Sequence, residues 1–282
     1  MTELENIHSL IERMEGKKLM NEGIDIDYIS HLVSYNPSHQ NNVDTSIKTN
    51  PTVSTEYGEG IKVYSILKRK SGSTMADGNP LLYAFKKEKG WAFKSEKDKE
   101  DILKQIDLIT DKFISMCPLG FTILIPSGNL LNRMIGNMLK TKSDSVMVVD
   151  DVLTKITTEE VFEIASAKGS PFLKYYKESI DSALRQLSEY LKKMNEEKNG
   201  YFTRHYVTDA NMRNVLTKTL KLSTDSVARY SKLIDGKDIL LIDDSISRGQ
   251  TIMEACQILQ ENYSPTSITV LTLFSKLYKD DR

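Results

Sequence analysis

Residues 239–251 read Ile239-Leu240-Leu241-Ile242-Asp243-Asp244-Ser245-Ile246-Ser247-Arg248-Gly249-Gln250-Thr251. A short apolar run delivers two adjacent carboxylates, Asp243 and Asp244, to the end of a buried strand. That edge is where open α/β sheets bind their ligands. The next residues supply hydroxyls and a glycine, and helix-like Ile252–Leu259 follows. Backbone N–H groups at such a turn, with the helix N-terminus behind them, make an anion site. Gly249 lets the backbone approach a phosphate with no Cβ in the way, and Ser247 and Thr251 carry hydroxyl donors. One loop therefore joins a phosphate cradle to two acids. A sugar phosphate suits it, with the phosphate in the cradle and ribose hydroxyls or a magnesium ion on the acids.

Two other stretches bear on the same chemistry. Phe121–Ile125 is an apolar run that stops at Pro126-Ser127-Gly128-Asn129, where small residues allow a close approach to an anion. Ser145–Val149 ends in a second acidic pair, Asp150-Asp151. That pair lacks the Ser-Arg-Gly-Gln-Thr continuation and is read as structural. An apolar strand ending in two acids also resembles a Walker B element, but the chain contains no GxxxxGK[ST], so a nucleoside-triphosphatase lacks its phosphate loop.

The 239–251 segment resembles the phosphoribosyl pyrophosphate (PRPP) signature of type I phosphoribosyltransferases, and its wording is closest to the amidophosphoribosyltransferase version. The resemblance covers roughly residues 118–275. It implies that Asp243 and Asp244 hold the ribose 2′- and 3′-hydroxyls, directly or through Mg2+. It implies too that Ser247, Arg248, Gly249, Gln250 and Thr251 wrap the 5′-phosphate, with Ser245 also among the PRPP-binding residues. Ser127, Gly128 and Asn129 stand where relatives bind pyrophosphate with backbone N–H groups. Relatives also close a mobile basic loop over the site. Tyr201–Asp209 and Asn211–Arg213 fall in the matching interval, which makes Arg204, His205 and Arg213 candidates for pyrophosphate contact and equally ordinary surface residues. Relatives that salvage 6-oxopurines carry an acid where this chain has Ser247. Amidophosphoribosyltransferases need an N-terminal cysteine glutaminase domain, whereas this sequence starts Met1-Thr2 and residues 1–115 resemble no such domain. Their activity is therefore not carried over.

The elements that must position these residues are legible as pattern. Continuous apolar runs at 121–125, 145–149, 239–242 and 267–274, separated by helical text, predict strands buried on both faces of a mostly parallel sheet. The expected fold is α/β, Rossmann-like and type I phosphoribosyltransferase-like, with an N-terminal α+β extension and a helical insertion. The expected organisation is a helical segment and polar loop over 1–60, an α+β hood over 61–117, and the phosphoribosyltransferase-like domain over 118–282. Within 3–34 the spacing of Leu4, Ile7, Leu10, Ile11 and Met14 predicts helix. Residues 35–60 are polar and read as a loop or tether. Strands are expected at 61–67, 81–85 and 91–93, with Asp77-Gly78-Asn79-Pro80 as a turn between the first two. Ile102, Ile106, Ile109 and Phe113 form one stripe of an amphipathic helix over 98–116.

The insertion, about 156–200, opens with a capping box, Thr157-Thr158-Glu159-Glu160, and with Ser170-Pro171 as N-cap and first helical residue. Leu173, Tyr176, Ile180, Leu184, Leu187, Leu191 and Met194 then predict one long helix over 171–199. Its stripe either packs on its own domain, the favoured reading, or forms a dimer or partner surface.

Composition bounds the rest. The 282 residues carry 38 Lys and Arg against 39 Asp and Glu, a formal net charge of -1. That gives no global field for nucleic acid or anionic membrane. Residues 62–97 are locally basic, with nine Lys and Arg against three acids, which is read first as a solvated sheet face. Two cysteines and four scattered histidines exclude a disulfide framework and leave no zinc spacing. No apolar run reaches the ~18 residues of a membrane span, and the acidic start is no signal peptide, so a cytoplasmic protein without a membrane partner is expected. The working function is a Mg2+-dependent transfer of phosphoribosyl from PRPP to, or its removal from, a nitrogenous base or amine. Two alternatives remain: a non-catalytic sensor of PRPP or a nucleotide, and a nucleotide-targeting effector of a bacterial conflict system. A homodimer is a candidate assembly. The N-terminal region or the 171–199 helix is a candidate surface for a protein or nucleic-acid partner.

Overall fold

A computed structural model describes residues 22–57, 61–71, 78–117, 120–198 and 200–279. The strands in chain order are β1 (Gly23–Asp27), β2 (Leu32–Asn36), β3 (Val43–Asp44), β4 (Thr52–Ser54), β5 (Ile61–Ser71), β6 (Ala92–Phe93), β7 (Phe121–Leu124), β8 (Met147–Val149), β9 (Leu153–Lys155), β10 (Leu220–Leu222), β11 (Asp238–Ser245), β12 (Ser267–Phe274) and β13 (Tyr278–Lys279). The main sheet runs β13-β5-β12-β11-β7-β8, all parallel, with β3 and β4 antiparallel on β5. It is an α/β sheet, mixed but mostly parallel, with helices on both faces.

The apolar runs explain this burial residue by residue. On β11, Leu240 and Ile242 face the helices Asn79–Lys86, Glu96–Met116 and Leu131–Lys142. Ile239 and Leu241 face Ser226–Ile234 and Gln250–Asn262 on the other side. Successive side chains on a strand point to opposite faces, so a strand covered on both must be apolar throughout. The stripe Ile102, Ile106, Ile109 and Phe113 is fully buried as expected.

The N-terminal part differs from the sequence reading. Residues 1–21 lie outside the described residues. The helix expected to run on to residue 34 gives way to the hairpin β1–β2. Gly23-Ile24-Asp25-Ile26-Asp27 alternates apolar and polar with period two, which is a strand signal. Ile24 and Val33 pack into the core beside Glu96–Met116.

Residues 35–57 are not a tether. Asp44 is buried and accepts from Ser46 N at 2.9 Å and Thr49 Oγ1 at 2.6 Å, while Asn50 Nδ2 donates to the Asp44 and Ser46 carbonyls, both at 3.0 Å. The polar side chains there serve the backbone of an ordered segment instead of facing water.

Residues 81–85 are helix, within Asn79–Lys86, because Pro80 sits in the first turn and starts it. The turn expected at 77–80 is therefore a helix start, and Asp77 lies outside the described residues. The strand 61–71, assigned from sequence to a separate hood, lies inside the main sheet against β12. Ala92–Phe93 is a strand as expected, paired with β2.

Between β8 and β11 the chain builds a helical segment over a two-stranded antiparallel sheet, β9–β10, whose strands are the segment's two ends. The capping box on Thr157 and the Ser170 N-cap form as read from sequence. The expected long helix is two, Pro171–Tyr175 and Ile180–Lys198, because the chain turns at 176–179. Its stripe packs on its own segment, where Leu187, Leu191 and Met194 meet Val161, Phe172, Phe202 and Met212. Among the described residues no helix is long and apolar enough to cross a membrane.

This self-contained packing has a measurable consequence. Leu187 is fully buried, and Leu187→Ala is expected to cost about 2–5 kcal/mol in urea unfolding. A stripe that served only as a partner surface would show almost no change.

Candidate functional site

The chain folds so that its chemistry collects at one sheet edge. From β7 the chain crosses through Leu131–Lys142 to β8, away from β11. From β11 it crosses through Gln250–Asn262 to β12, away from β7. The carboxyl ends of β7 and β11 are neighbours, so the two connections diverge there and leave a crevice, the position at which open α/β sheets take ligands.

A cleft of about 940 Å³ opens at this point. It is lined by the residues the sequence singled out other than His205: Ser127, Gly128 and Asn129 after β7; Asp243, Asp244 and Ser245 at the end of β11; Ser247 to Thr251 in the following turn; and Arg204 and Arg213 from the opposite wall. The sequence expectation put the hood at 61–117. That region contributes Lys86 and Glu88, while the facing wall comes from 150–155, Glu197 and 201–220.

Asp244 is the hub. Its Oδ2 accepts from Ser127 Oγ at 3.2 Å and Asn129 Nδ2 at 2.6 Å, and it pairs with Lys86 Nζ at 2.9 Å. Ser245 Oγ donates to its Oδ1 at 2.8 Å. Burial pushes this carboxyl up, but the Lys86 charge and the Asn129 and Ser245 donors outweigh burial and hold it below the ordinary aspartate range. Asp243 goes the other way. Burial, then the Asp244 charge, raise its pKa against the weaker pull of the Asp244 N–H, Asn132 and Lys86. The pair thus splits into one ionised acid and one that keeps its proton more readily. Asn132 Nδ2 also donates to the Ile125 carbonyl at 2.7 Å, and Asn129 Oδ1 accepts from Leu131 N at 2.9 Å. These bonds fix the loop after β7 to the helix that follows it.

At the other end, Gly249 has φ +74° and precedes Gln250–Asn262, whose first turn has no side-chain cap. Its leading N–H groups have no intrahelical acceptor. A Cβ on Gly249 would lie 2.3 Å from the Tyr57 ring, so glycine is required both by the left-handed backbone and by the ring above it. Tyr57 is buried, and burial pushes its phenol up to about 12. Gly128, in contrast, has open space beside it. Below the turn, the buried Arg69 donates to the Ile246 carbonyl at 2.6 Å and to the Ser275 carbonyl at 2.5 Å. Glu254, on Gln250–Asn262, accepts from Thr219 N at 2.6 Å and Leu220 N at 3.0 Å, tying that helix to β10.

Arg204 sits beside this turn: Nη1 donates to Gln250 Oε1, and Nη2 donates to the Arg213 carbonyl at 2.6 Å. The His205 side chain lies outside the described residues. Asp150 pairs with Arg133 at 2.9 Å on the cleft rim, and Asp151 accepts from Tyr230 Oη at 2.5 Å and pairs with Arg229. The second acidic pair is thus engaged in local bonds. Lys86, Tyr57 and Arg69 were not singled out in the sequence. Lys86 and Arg69 lie in the locally basic stretch, and nothing in the sequence marks Tyr57. Among the described residues no group of three or more His, Cys, Asp and Glu is arranged to hold a metal ion. The donors that Asp243 and Asp244 supply, two carboxylates, fit a magnesium ion shared with substrate oxygens, which is how that ion is usually held.

Comparison of the chain with protein-family models, curated proteins and solved structures returned no match.

Two outcomes are expected from this geometry. Gly249→Ala should cost about 1–3 kcal/mol, and adding Tyr57→Ala should recover part of that in a double-mutant cycle, since it removes the clash but not the backbone strain. Asp243 keeps in the folded state a proton that the unfolded chain releases earlier. Its favourable contribution is therefore complete below the ordinary aspartate pKa and is lost as pH rises through the raised value. Urea midpoints across pH should show that decline, and Asp243→Asn should flatten it.

Proposed function

We propose that the cleft binds the ribose phosphate of PRPP and that the protein is a type I phosphoribosyltransferase-like enzyme. The supporting observation is the junction at the switch-point crevice. Two carboxylates of opposite protonation tendency lie between an uncapped helix start behind Gly249 and the Ser127–Asn129 loop. In this reading the 5′-phosphate lies against the Gly249 turn, the ribose hydroxyls meet Asp243 and Asp244, and the pyrophosphate on carbon 1 lies toward Ser127, Gly128 and Asn129.

The reaction breaks the bond between carbon 1 and the pyrophosphate oxygen, which leaves with the bonding electrons. The ribose passes through an oxocarbenium-like state, and a nitrogen acceptor forms the new bond and gives up its proton. The chain contributes position and charge. Asp244, ionised and held by Lys86, Asn129 and Ser127, is rigid and lies on the side where positive charge develops. Asp243 and Asp244 would hold Mg2+, which supplies charge neutralisation on the departing pyrophosphate. Asp243 must lose its raised proton to do so, which makes metal-dependent binding weaker at acid pH.

One observation favours a second reading, a sensor that binds without turnover. The Lys86 ammonium already pairs with the Asp244 oxygen that a metal would use. Binding independent of Mg2+, with no pyrophosphate released in the presence of any acceptor, would identify that case.

The test is titration calorimetry with PRPP, with and without Mg2+. Magnesium-dependent binding is expected, and Asp243→Asn with Asp244→Asn should weaken it by at least tenfold, as expected when charge-assisted contacts worth about 1.5–3 kcal/mol each are lost. Circular dichroism should show the double variant folded. Normal binding by a folded double variant would remove the acids from the site.

A further inference from the structure

The arginines on the far wall are placed for more negative charge than one 5′-phosphate brings. Arg204, Arg213 and Arg248 all line the cleft. Among the described residues none of the three forms an ion pair: Arg204 is bonded to a neutral amide, Gln250, and to a backbone carbonyl. Its Nε is buried with no hydrogen-bond partner. Arg213 and Arg248 are close enough to Arg204 that each disfavours its charge, on top of the desolvation it suffers. The acid facing this group is Glu254, and both of its oxygens are taken by Thr219, with Leu220 N sharing one. A partly buried arginine with an unpartnered Nε, held beside two further cations, is a favourable place for an anion. Their position matters as much as their number. Gln250 is the first residue after the Gly249 turn, so the cluster lies at the end of the cleft assigned to the 5′ oxygen. The pyrophosphate on carbon 1 would lie at the other end, toward Ser127 and Asn129.

We propose that this end of the cleft accommodates a ribose carrying two linked phosphates on its 5′ oxygen, as in a nucleoside 5′-diphosphate or a dinucleotide. The first phosphate occupies the Gly249 turn and the second occupies the space bounded by Arg204, Arg213 and Arg248. This rests on the reading that the 5′ oxygen faces the Gly249 turn.

AMP and ADP differ only by that second phosphate, and their binding can be compared by calorimetry in one buffer. ADP is expected to bind at least tenfold more tightly than AMP. Arg204→Gln and Arg213→Gln should each lower ADP affinity more than AMP affinity and so shrink that ratio, with circular dichroism checking that both variants fold. ADP-ribose, in which the second phosphate is esterified, separates the two sources: binding equal to ADP indicates a bridging diphosphate, and weaker binding a terminal one. Equal affinity for AMP and ADP, or a ratio that the arginine variants do not alter, overturns the inference while the ribose phosphate site stands. If PRPP binds tightly, ADP does not, and the arginine variants weaken PRPP, the arginines serve the pyrophosphate and the inference is overturned. If AMP, ADP and PRPP all fail to bind, the reading of the site fails, and the inference with it.

Discussion

One carboxylate ties the molecule's functional edge together. Asp244 stands at the end of the central strand and accepts from the loop after β7 through Ser127 and Asn129, while pairing with Lys86 at the end of the helix Asn79–Lys86. These three stretches lie far apart in the chain, and Asp244 joins them at the cleft. A buried ionised acid is tolerable only when paired and hydrogen-bonded. Asp244 meets that condition entirely with side chains that also line the cleft, so the stability of the site and its chemistry share the same bonds.

The neighbouring acid shows what this arrangement costs. Asp243 lacks a comparable set of donors and sits beside an already ionised carboxylate, so its proton is held more tightly. Two groups of one kind are thereby given different roles by their surroundings alone. A ligand that brings positive charge or hydroxyl donors to Asp243 would relieve the mismatch, so ligand binding and ionisation at this position are linked.

The part of the fold that could be read from sequence is the part governed by local pattern. The strands ending at Asp244 and Leu124 were legible because burial on both faces leaves an unbroken apolar run. The helix carrying Phe113 and the caps at Thr157 and Ser170 follow short-range rules. What misled is equally local. Leu81–Phe85 looks like a strand by composition, and the proline just before it decides for helix. The polar stretch after residue 35 looks like a tether because the buried bonds of Asp44 and Asn50 leave no mark in hydropathy. The cleft residues on the turn and the β7 loop were readable from type and spacing. Lys86, Tyr57 and Arg69 were not, because each reaches the site from a distant segment through tertiary packing.

That division bears on where a substrate of the proposed enzyme would be specified. The turn at Gly249 and the acids of β11 are encoded in thirteen consecutive residues and, in the reading proposed above, would meet only a ribose with a phosphate. The opposite wall, with Arg204, Arg213 and the exposed ring of Tyr201, comes from the segment inserted between β8 and β11. That segment has its own apolar core around Leu187 and Phe202, so its surface is free to vary without disturbing the sheet. It joins the cradle through Arg204 on Gln250, through Glu254 on Thr219 and Leu220, and through Leu153 and Leu220, which pack in one apolar cluster with β11 and the helix Gln250–Asn262. In the proposed reading the rigid sheet edge would hold the sugar phosphate and the facing wall would meet the rest of the ligand, which would place discrimination between substrates on residues 197–220.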